Sequence, residues 1–164
     1  MEDNMLARME ASKDWDRALQ AAAVEEVLSV FTRRQIGLLS FDEVRERLNL
    51  SQKNCRGLQE IEVSRIVGSV GRYQDFTRTF MPRRNELRQR WERVNVAATT
   101  GSVPPIEVFQ VGEAYFVLDG NHRVSIARQV GMPTIPAYVW QYETPVGLSA
   151  EADLDELLIK AEYA

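Results

Sequence analysis

The sequence has one cysteine, Cys55, and one histidine, His122, among its 164 residues. A single cysteine excludes an internal disulfide, and the lack of a Cys-x-x-Cys pair or a second histidine argues against the usual zinc sites. The sequence also lacks a P-loop motif and a Gly-x-Ser-x-Gly nucleophile motif. No apolar run reaches membrane-spanning length, and no basic segment followed by an apolar one opens the chain. We therefore expect a cytoplasmic protein without membrane contact.

The composition is that of a globular domain, with 45% hydrophobic and 27% charged residues and a net charge of −4. The charge is unevenly distributed. Residues 61–95 hold eight arginines against four acids, whereas residues 143–164 hold six acids against Lys160. Planar guanidinium groups suit bidentate phosphate contacts, so the middle of the chain favours an anionic ligand. The alternative is that some of these arginines pair with acids elsewhere in the chain.

Residues 115–129 carry the most informative pattern in the sequence. The apolar run from Tyr115 to Leu118 predicts a buried strand, and Gly120 predicts a tight turn in which it adopts positive φ or lets another group approach the backbone. Apolar residues after Arg123 then recur with helical spacing. His122 and Arg123 fall in the first turn of this helix. Because a helix N-terminus has unpaired N–H groups and the positive end of the helix dipole, phosphate is the expected ligand.

The segment from Asp119 to Arg123, followed by a helix of small residues, resembles the glycine–x–x–arginine box of the ParB/sulfiredoxin superfamily. This superfamily includes the N-terminal domain of chromosome-partitioning ParB proteins, sulfiredoxin and a free serine kinase. Three further segments resemble its first strand, its strand preceded by proline, and its closing strand; they are Glu60 to Val67, Val103 to Phe109 and Thr134 to Trp140. The resemblance covers residues 60–141, and the order of the four segments supports the fold more than any one activity.

We therefore predict an α+β fold, with a small mixed β-sheet flanked by helices and with helical extensions at both ends. The predicted parts are an N-terminal helical extension over residues 1–58, a ParB-like core over 59–142 and an acidic C-terminal helix over 143–164. Within the core, a strand over 61–67, a helix over 86–98 and a hairpin of strands 106–111 and 114–118 are expected. Trp91 is expected to be a core residue rather than a base-stacking one.

The extensions show helical spacing of their own. The first helix is predicted over residues 5–33 from the recurrence of Leu6, Met9, Leu19, Ala22, Ala23, Val27, Val30 and Phe31. A second helix is predicted to start at Ser40, with Glu43 completing a capping box, and a polar stretch over 49–57 leads into the core. A last helix is predicted from Ser149. We expect the flanking helices to pack on the core or on another copy of the chain, because isolated helices of this length are marginal in water.

The resemblance implies specific site residues. Gly120, Asn121, His122 and Arg123 would hold the phosphates of a nucleotide, ATP or CTP, together with Mg²⁺. Arg72, Gln74 and Arg78 would add contacts from the segment after the first strand. His122 and Asp119 are the candidate catalytic residues, and Asp119 either caps the helix or binds the metal. Asn121 stands where sulfiredoxin has its reactive cysteine, so sulfiredoxin chemistry is not expected.

Three functions remain open from the sequence. The first is a domain that binds a nucleoside triphosphate and hydrolyses it or transfers a phosphoryl group. The second is a non-catalytic interaction or regulatory module that docks through its flanking helices. The third is a nuclease or nucleic-acid-binding protein that uses the arginine-rich segment. The corresponding partners are a nucleotide, a nucleic acid, and a second copy of the chain bound through the flanking helices.

Overall fold

The structure is a computed structural model that describes residues 2–32, 37–100 and 104–144. The helices of this part of the chain are α1 (Glu2–Thr32), α2 (Phe41–Arg47), α3 (Arg88–Thr100) and α4 (Asn121–Val130). Its strands are β1 (Leu39–Ser40), β2 (Lys53–Glu62), β3 (Ile66–Ser69), β4 (Ile106–Val111), β5 (Ala114–Asp119) and β6 (Thr134–Tyr142). Single 3₁₀ turns occupy Val63–Arg65 and Asn85–Leu87. None of the described helices is long and apolar enough to cross a membrane.

The strands form one mixed sheet in the order β1-β3-β5-β4-β6-β2. The β1–β3, β3–β5 and β4–β6 pairs are parallel, whereas β4–β5 and β2–β6 are antiparallel. Helices cover both faces, so the predicted α+β class with a mixed sheet flanked by helices is confirmed. Strands β1 and the first part of β2 belong to this sheet although they precede residue 59.

Alternating side chains of the central strands build a core on each face of the sheet. Tyr115 and Val117 of β5 point into the core that contains Val124 and Ala127 of α4. Ala114 and Phe116 of the same strand point into the other core, where Phe41 and Val44 of α2 pack. The rings of Phe41 and Phe109 pack at a tilt of 39°, with their centroids 4.7 Å apart. The sheet is thus the middle of three layers, and α4 lies on the opposite face from α2.

Helix α1 packs on α3 and extends the layer that contains α4. Trp15 of α1 meets Trp91 of α3 edge-on, with ring centroids 5.7 Å apart. Trp91 is fully buried and its indole N–H donates to the Ser125 hydroxyl of α4 at 2.8 Å. The predictions that Trp91 is a core residue and that the first helix packs on the core are both confirmed.

The predicted apolar face of α1 is wrong in most of its residues. The buried residues are mainly small: Ala7, Ala11, Trp15, Ala18 and Ala22. Larger residues that the spacing placed on the core side, including Leu6, Met9 and Val27, are exposed. Small side chains let α1 approach α3 closely, so the alanine stripe rather than the leucine and methionine positions faces the protein. The side chains of Val30 and Phe31 lie outside the described residues.

The single strand predicted over 61–67 is also wrong. β2 starts at Lys53, ends at Glu62, and is followed by a 3₁₀ turn before β3 begins at Ile66. Most of the stretch that was expected to be a polar lead-in is therefore strand. β2 pairs only with β6 and is exposed on both faces over most of its length, so it needs no alternating apolar residues.

Several other predicted helices and strands are present, but their first or last residues differ from those predicted. The hairpin and the closing strand are present, and α3 begins two residues later than expected, after a 3₁₀ turn. Ser40 is the N-cap residue of α2, but its side chain makes no capping hydrogen bond, so the predicted capping box does not form. The helix predicted from Ser149 lies outside the described residues.

Gly68 gives a sharp test of this packing. A Cβ there would lie 2.4 Å from a ring carbon of Phe116 and 2.5 Å from the backbone oxygen of Leu39. We expect Gly68→Ala to lower the free energy of unfolding by about 1–3 kcal/mol, because the core must shift to accept the methyl group. Gly71→Ala is the matched control, since a Cβ there meets nothing within 4 Å. Urea unfolding followed by tryptophan fluorescence measures both, and equal stabilities for the two variants would contradict this packing.

Candidate functional site

A cleft of about 330 Å³ opens where β5 ends and α4 begins. Three segments line it: the loop after β3, one face of α3, and the turn from β5 into α4. The lining residues are Gly71, Arg72, Arg90, Val94, Leu118, Asp119, Gly120, Asn121, His122 and Arg123. Most of the residues predicted to form the site are therefore brought together.

The cleft owes its shape to the turn at Gly120. This residue is the N-cap of α4 and has φ 107°, a left-handed conformation that favours glycine. A Cβ at this position would lie 2.5 Å from Ile106 Cγ2 and 3.2 Å from Arg123 Cζ. Protein side chains therefore occupy the space beside Gly120 that was expected to admit a ligand. The first backbone N–H groups of α4 lack intrahelical acceptors and lie at the cleft.

Arg123 is engaged with its own protein. Its guanidinium donates to the backbone oxygens of Pro104 at 2.5 Å and Pro105 at 2.9 Å, and it pairs with the Asp119 carboxylate at 2.8 Å. Asp119 does not cap α4, because Gly120 is the N-cap and no side chain bonds there. The predicted cap is wrong for a local reason: Asp119 is the last residue of β5, and its carboxylate meets the guanidinium of Arg123 instead.

His122 is a buried imidazole at the inner wall of the cleft. It is 8% exposed, its ring meets that of Phe76 edge-on at 5.4 Å, and its Nδ1 has no hydrogen-bond partner. Burial, together with the charges of Arg90 and Arg72, lowers the pKa of His122 from 6.5 to about 4, while Asp75 opposes the shift. The imidazole is therefore neutral at pH 7, when it has one donor and one acceptor nitrogen.

Two arginines face the cleft from different elements. Arg72 follows β3 and donates to Asp75 at 3.2 Å, and the same carboxylate is 3.8 Å from Arg84. Arg90 comes from α3, next to the buried Trp91. Sequence reasoning did not select Arg90 as a site residue. The sequence places Arg90 one residue before the buried Trp91 and one helical turn before Val94. This spacing alone does not show which face of α3 lies against residues 119–123; the packing of α3 on α4 does.

Two predicted contacts do not reach the cleft. Gln74 is exposed, and neither Gln74 nor Arg78 is among the lining residues. Arg72 alone of the three residues predicted from this segment lines it. Asn121 adds a second unsatisfied group, since its buried Oδ1 accepts no hydrogen bond. A buried acceptor without a donor is costly, so a ligand donor or a cation is expected to meet it.

Many arginines of the basic segment form ion pairs with acids. Arg83 pairs with Glu26 of α1 at 3.1 Å, and Arg88 pairs with Glu92 at 3.0 Å. Arg65 donates to the Glu113 carbonyl at 2.7 Å and lies over the ring of Tyr115. The alternative that arginines of this segment pair with acids thus holds for Arg83 and Arg88. Arg72, Arg90 and Arg123 line the cleft, and of these Arg72 pairs with Asp75 and Arg123 with Asp119.

The oxygen ligands at the cleft are compatible with Mg²⁺ that arrives with phosphates. Asp119 supplies a carboxylate and Asn121 an amide oxygen, and Mg²⁺ in nucleotide sites typically takes one or two protein oxygens and keeps waters and phosphate oxygens. Within the described residues, no three His, Cys, Asp or Glu side chains cluster as a metal site of their own.

Comparison with protein families identifies the class. The model of the ParB N-terminal domain matches residues 46–152, which is more than half of the chain. The chain therefore belongs to the ParB N-terminal domain family, and the predicted ParB-like resemblance is confirmed. This membership connects it to functions that involve nucleotides or nucleic acids. Searches of the curated proteins and of the solved structures found no match.

The low pKa of His122 makes stability depend on pH. Between pH 6.5 and 4 the unfolded chain protonates this imidazole and the folded chain does not, so folding loses stability as the pH falls through this window. The lowering of the pKa of His122 to about 4 corresponds to a loss of about 3 kcal/mol across this window. Urea unfolding at several pH values, compared with His122→Asn, measures it, because carboxylate effects cancel in the difference. A wild-type-minus-variant difference that stays constant from pH 7 to 4 would contradict the burial of His122.

Proposed function

We propose that this domain binds a nucleoside triphosphate, with the phosphates at the start of α4. The convergence of Arg72, Arg90 and the N-terminus of α4 on one cleft is the observation that carries this proposal. A helix N-terminus is an anion site through its free N–H groups and its dipole, and two guanidinium groups from separate elements add fixed positive charge. A polyanion fits this arrangement better than a monoanion or a neutral ligand.

The size of the cleft supports the same ligand class. At about 330 Å³ it lies at the small end of ligand pockets, which span roughly 300–1,000 Å³. It has room for phosphate groups with part of a nucleoside. Leu118 and Val94 supply apolar surface beside the charged groups, which suits the sugar or base that follows the phosphates.

His122 and Asn121 complete the first contacts. The neutral imidazole donates from one nitrogen to a phosphate oxygen, and a bound phosphate raises the pKa of His122 because its negative charge offsets Arg72 and Arg90. Arg123 acts as a positioning residue, since its guanidinium fixes Asp119 and the Pro104–Pro105 segment. Asp119 and Asn121 would hold Mg²⁺, which neutralises phosphate charge when bound.

Phosphoryl chemistry is an extension of this proposal. Asp119 lies on the exposed side of the cleft, where its carboxylate can orient an attacking hydroxyl or water, and His122 lies on the inner side, where it can stabilise the charge on the transferred group. An assay for release of inorganic phosphate tests this role. We expect Asp119→Asn and His122→Ala to lose phosphate release while both variants still bind nucleotide. If the native chain binds nucleotide but shows no turnover, the domain binds nucleotide without catalysing phosphoryl chemistry.

A nucleic-acid-binding surface has less support. Such a surface needs several arginines that are available to phosphates along one face, whereas Arg83 and Arg88 of the basic segment pair with Glu26 and Glu92. A fluorescently labelled single-stranded nucleic acid serves as the competing ligand. If the strand binds tighter than any nucleoside triphosphate and is cleaved, the nuclease function replaces the one proposed.

Calorimetric titration with ATP, CTP, GTP and UTP, with and without Mg²⁺, tests the proposal directly. We expect at least one triphosphate to bind with a stoichiometry near one, and the corresponding monophosphate to bind more weakly because fewer charges enter the cleft. Failure of all four triphosphates to bind at millimolar concentration would overturn the proposal and favour the interaction-module function.

Arginine variants locate the binding site. Arg72→Ala and Arg90→Ala should each weaken triphosphate binding roughly 10- to 150-fold, the effect of a charged hydrogen bond worth about 1.5–3 kcal/mol. Arg45→Ala, on α2 at the opposite face of the sheet, is the control for loss of positive charge and should leave affinity unchanged. Arg123→Ala should lower both affinity and the melting temperature, because Arg123 also bonds to the backbone. Small and equal effects at Arg72, Arg90 and Arg45 would reject this site.

A further inference from the structure

The sheet face that carries α2 is covered only in part by the described residues. Helix α2 has seven residues and is about 10 Å long, whereas β6 has nine residues and is roughly 30 Å long. The ring of Phe41 in α2 contacts those of Phe109 and Tyr142, so the helix lies over the last part of β6. Among the described residues, no helix lies on this face over the first part of β6 and the adjoining part of β2.

Apolar and aromatic side chains occupy this uncovered area. Because alternate residues of a strand share a face, Trp140 and Tyr138 lie on the same face as Tyr142, which belongs to the core under α2. Leu58 of β2 is directly opposite Tyr138, and these two side chains are 58% and 46% exposed. A sheet face of this composition is usually buried against another layer.

The charged side chains differ between the two ends of the area. Lys53 lies near the end of β6, with its ammonium 5.2 Å from the ring centroid of Trp140. Glu60 of β2 and Glu107 of β4 lie nearer the start of β6, one on each side of it, at the level of residues 136–138. The area is therefore positive near the end of β6 and negative near its start.

We propose that residues 149–163 dock on this area as a helix that runs antiparallel to β6. The described residues end at Thr144, just after β6, and residues 145–164 follow in the sequence. The apolar residues of this segment have the spacing of one helix face; they are Leu154, Leu157, Leu158 and Ala161. The segment is thus an amphipathic partner that is covalently attached beside the uncovered area.

The length of the connection fixes the direction of the helix. Glu143 continues the pairing of β6, since its N–H donates to the Gln52 carbonyl. Six residue steps from Glu143 to Ser149 reach about 20 Å at full extension. Pro136 lies seven steps back along the strand, about 23 Å from Glu143. A helix parallel to β6 would have to start near Pro136, beyond this reach, so the helix starts near the end of β6 and runs back along it.

This direction brings the apolar side chains of the two surfaces to the same levels. A helix advances about 1.5 Å per residue and a strand about 3.3 Å. A helix whose first residue is level with Tyr142 has Leu154 level with Trp140 and Leu158 level with Tyr138. Burial of these leucines against the aromatic rings provides the driving force.

The charges match in the same direction. Lys160 is level with Glu60 and Glu107, and it meets one of these carboxylates on either flank of the helix because they lie on both sides of β6. Glu162 is the acid of the segment that falls at this end. Three acids lie at the opposite end, at the level of Lys53; they are Glu151, Asp153 and Asp155.

A disulfide with Cys55 tests the docked position. Cys55 is exposed and lies opposite Trp140 on β2, so the docked Leu154 would lie close to it. With oxidised glutathione, we expect Leu154→Cys to form an intramolecular disulfide at least about 10-fold faster than Glu156→Cys, whose side chain would point away from the sheet. Intact mass and non-reducing gels measure the rates. Equal rates for the two variants, or disulfides that form only between two copies, overturn the proposal.

Hydrogen exchange tests the apolar contact. We expect the amides of residues 152–163 to be protected in the native chain. Leu58→Glu should speed their exchange about 10-fold or more, because a carboxylate would lie under the apolar stripe. Val130→Glu is the matched control and should leave exchange unchanged, since Val130 is similarly exposed, at 54%, but lies at the end of α4.

Two results of the exchange experiment would overturn the proposal. One is exchange of this segment at unfolded-chain rates in the native protein, and the other is equal exchange in the native chain and Leu58→Glu. A native dimer in light scattering that Leu58→Glu dissociates, while the segment stays unprotected, also overturns it, because a second copy would then cover this face.

Discussion

The contacts of Arg123 hold together the part of the fold on which the site depends. Its guanidinium bonds to the backbone oxygens of Pro104 and Pro105, which precede β4, and to the carboxylate of Asp119, the last residue of β5. One side chain in the first turn of α4 thus ties the helix start to the ends of two neighbouring strands. Gly120 is required beneath it, because any Cβ there would collide with Ile106. The position and direction of the helix N-terminus follow from this arrangement.

Since Asp119 neutralises Arg123, the positive field of the cleft comes mainly from other groups. Arg72 reaches it from the loop after β3, where its charge is shared with Asp75, and Arg90 reaches it from α3. The position of Arg90 depends in turn on Trp91, whose indole N–H bonds to Ser125 of α4 and whose ring packs on Trp15 of α1. Helix α1 therefore supports the site indirectly, although none of its described side chains lines the cleft. Two arginines, one of them paired with Asp75, and a helix end thus surround a buried neutral histidine.

The features that could be predicted from the sequence are those set by local signals. The strand, glycine turn and helix around Gly120 follow from an apolar run, a residue that tolerates positive φ, and helical spacing. The hairpin follows from two apolar strands separated by Gly112 and Glu113. Strand β2 was missed in part because an edge strand exposed on both faces has a polar sequence. The buried face of α1 was mispredicted because alanines, which pack closely, replaced the larger residues that spacing usually places inside.

The composition of the site was predictable from local pattern only within residues 119–123, and Arg72 was predicted through the family resemblance. Residues 119–123 are contiguous, so their proximity needed no tertiary information. Arg90 reaches the cleft through the packing of α3 on α4, which no local pattern specifies. Local sequence could not decide whether Asp119 caps α4 or forms an ion pair. The structure shows an ion pair with Arg123, because β5 ends at Asp119 and Gly120 is the N-cap of α4.

The pKa of His122 with and without ligand tests the central claim most directly, that an anion binds among Arg72, Arg90 and the start of α4. The chain has one histidine, so a single imidazole signal in a proton–carbon NMR titration reports it. The account predicts a pKa near 4 in the free protein and a clear rise when a nucleoside triphosphate saturates the cleft. A pKa that stays the same under saturating triphosphate would contradict it.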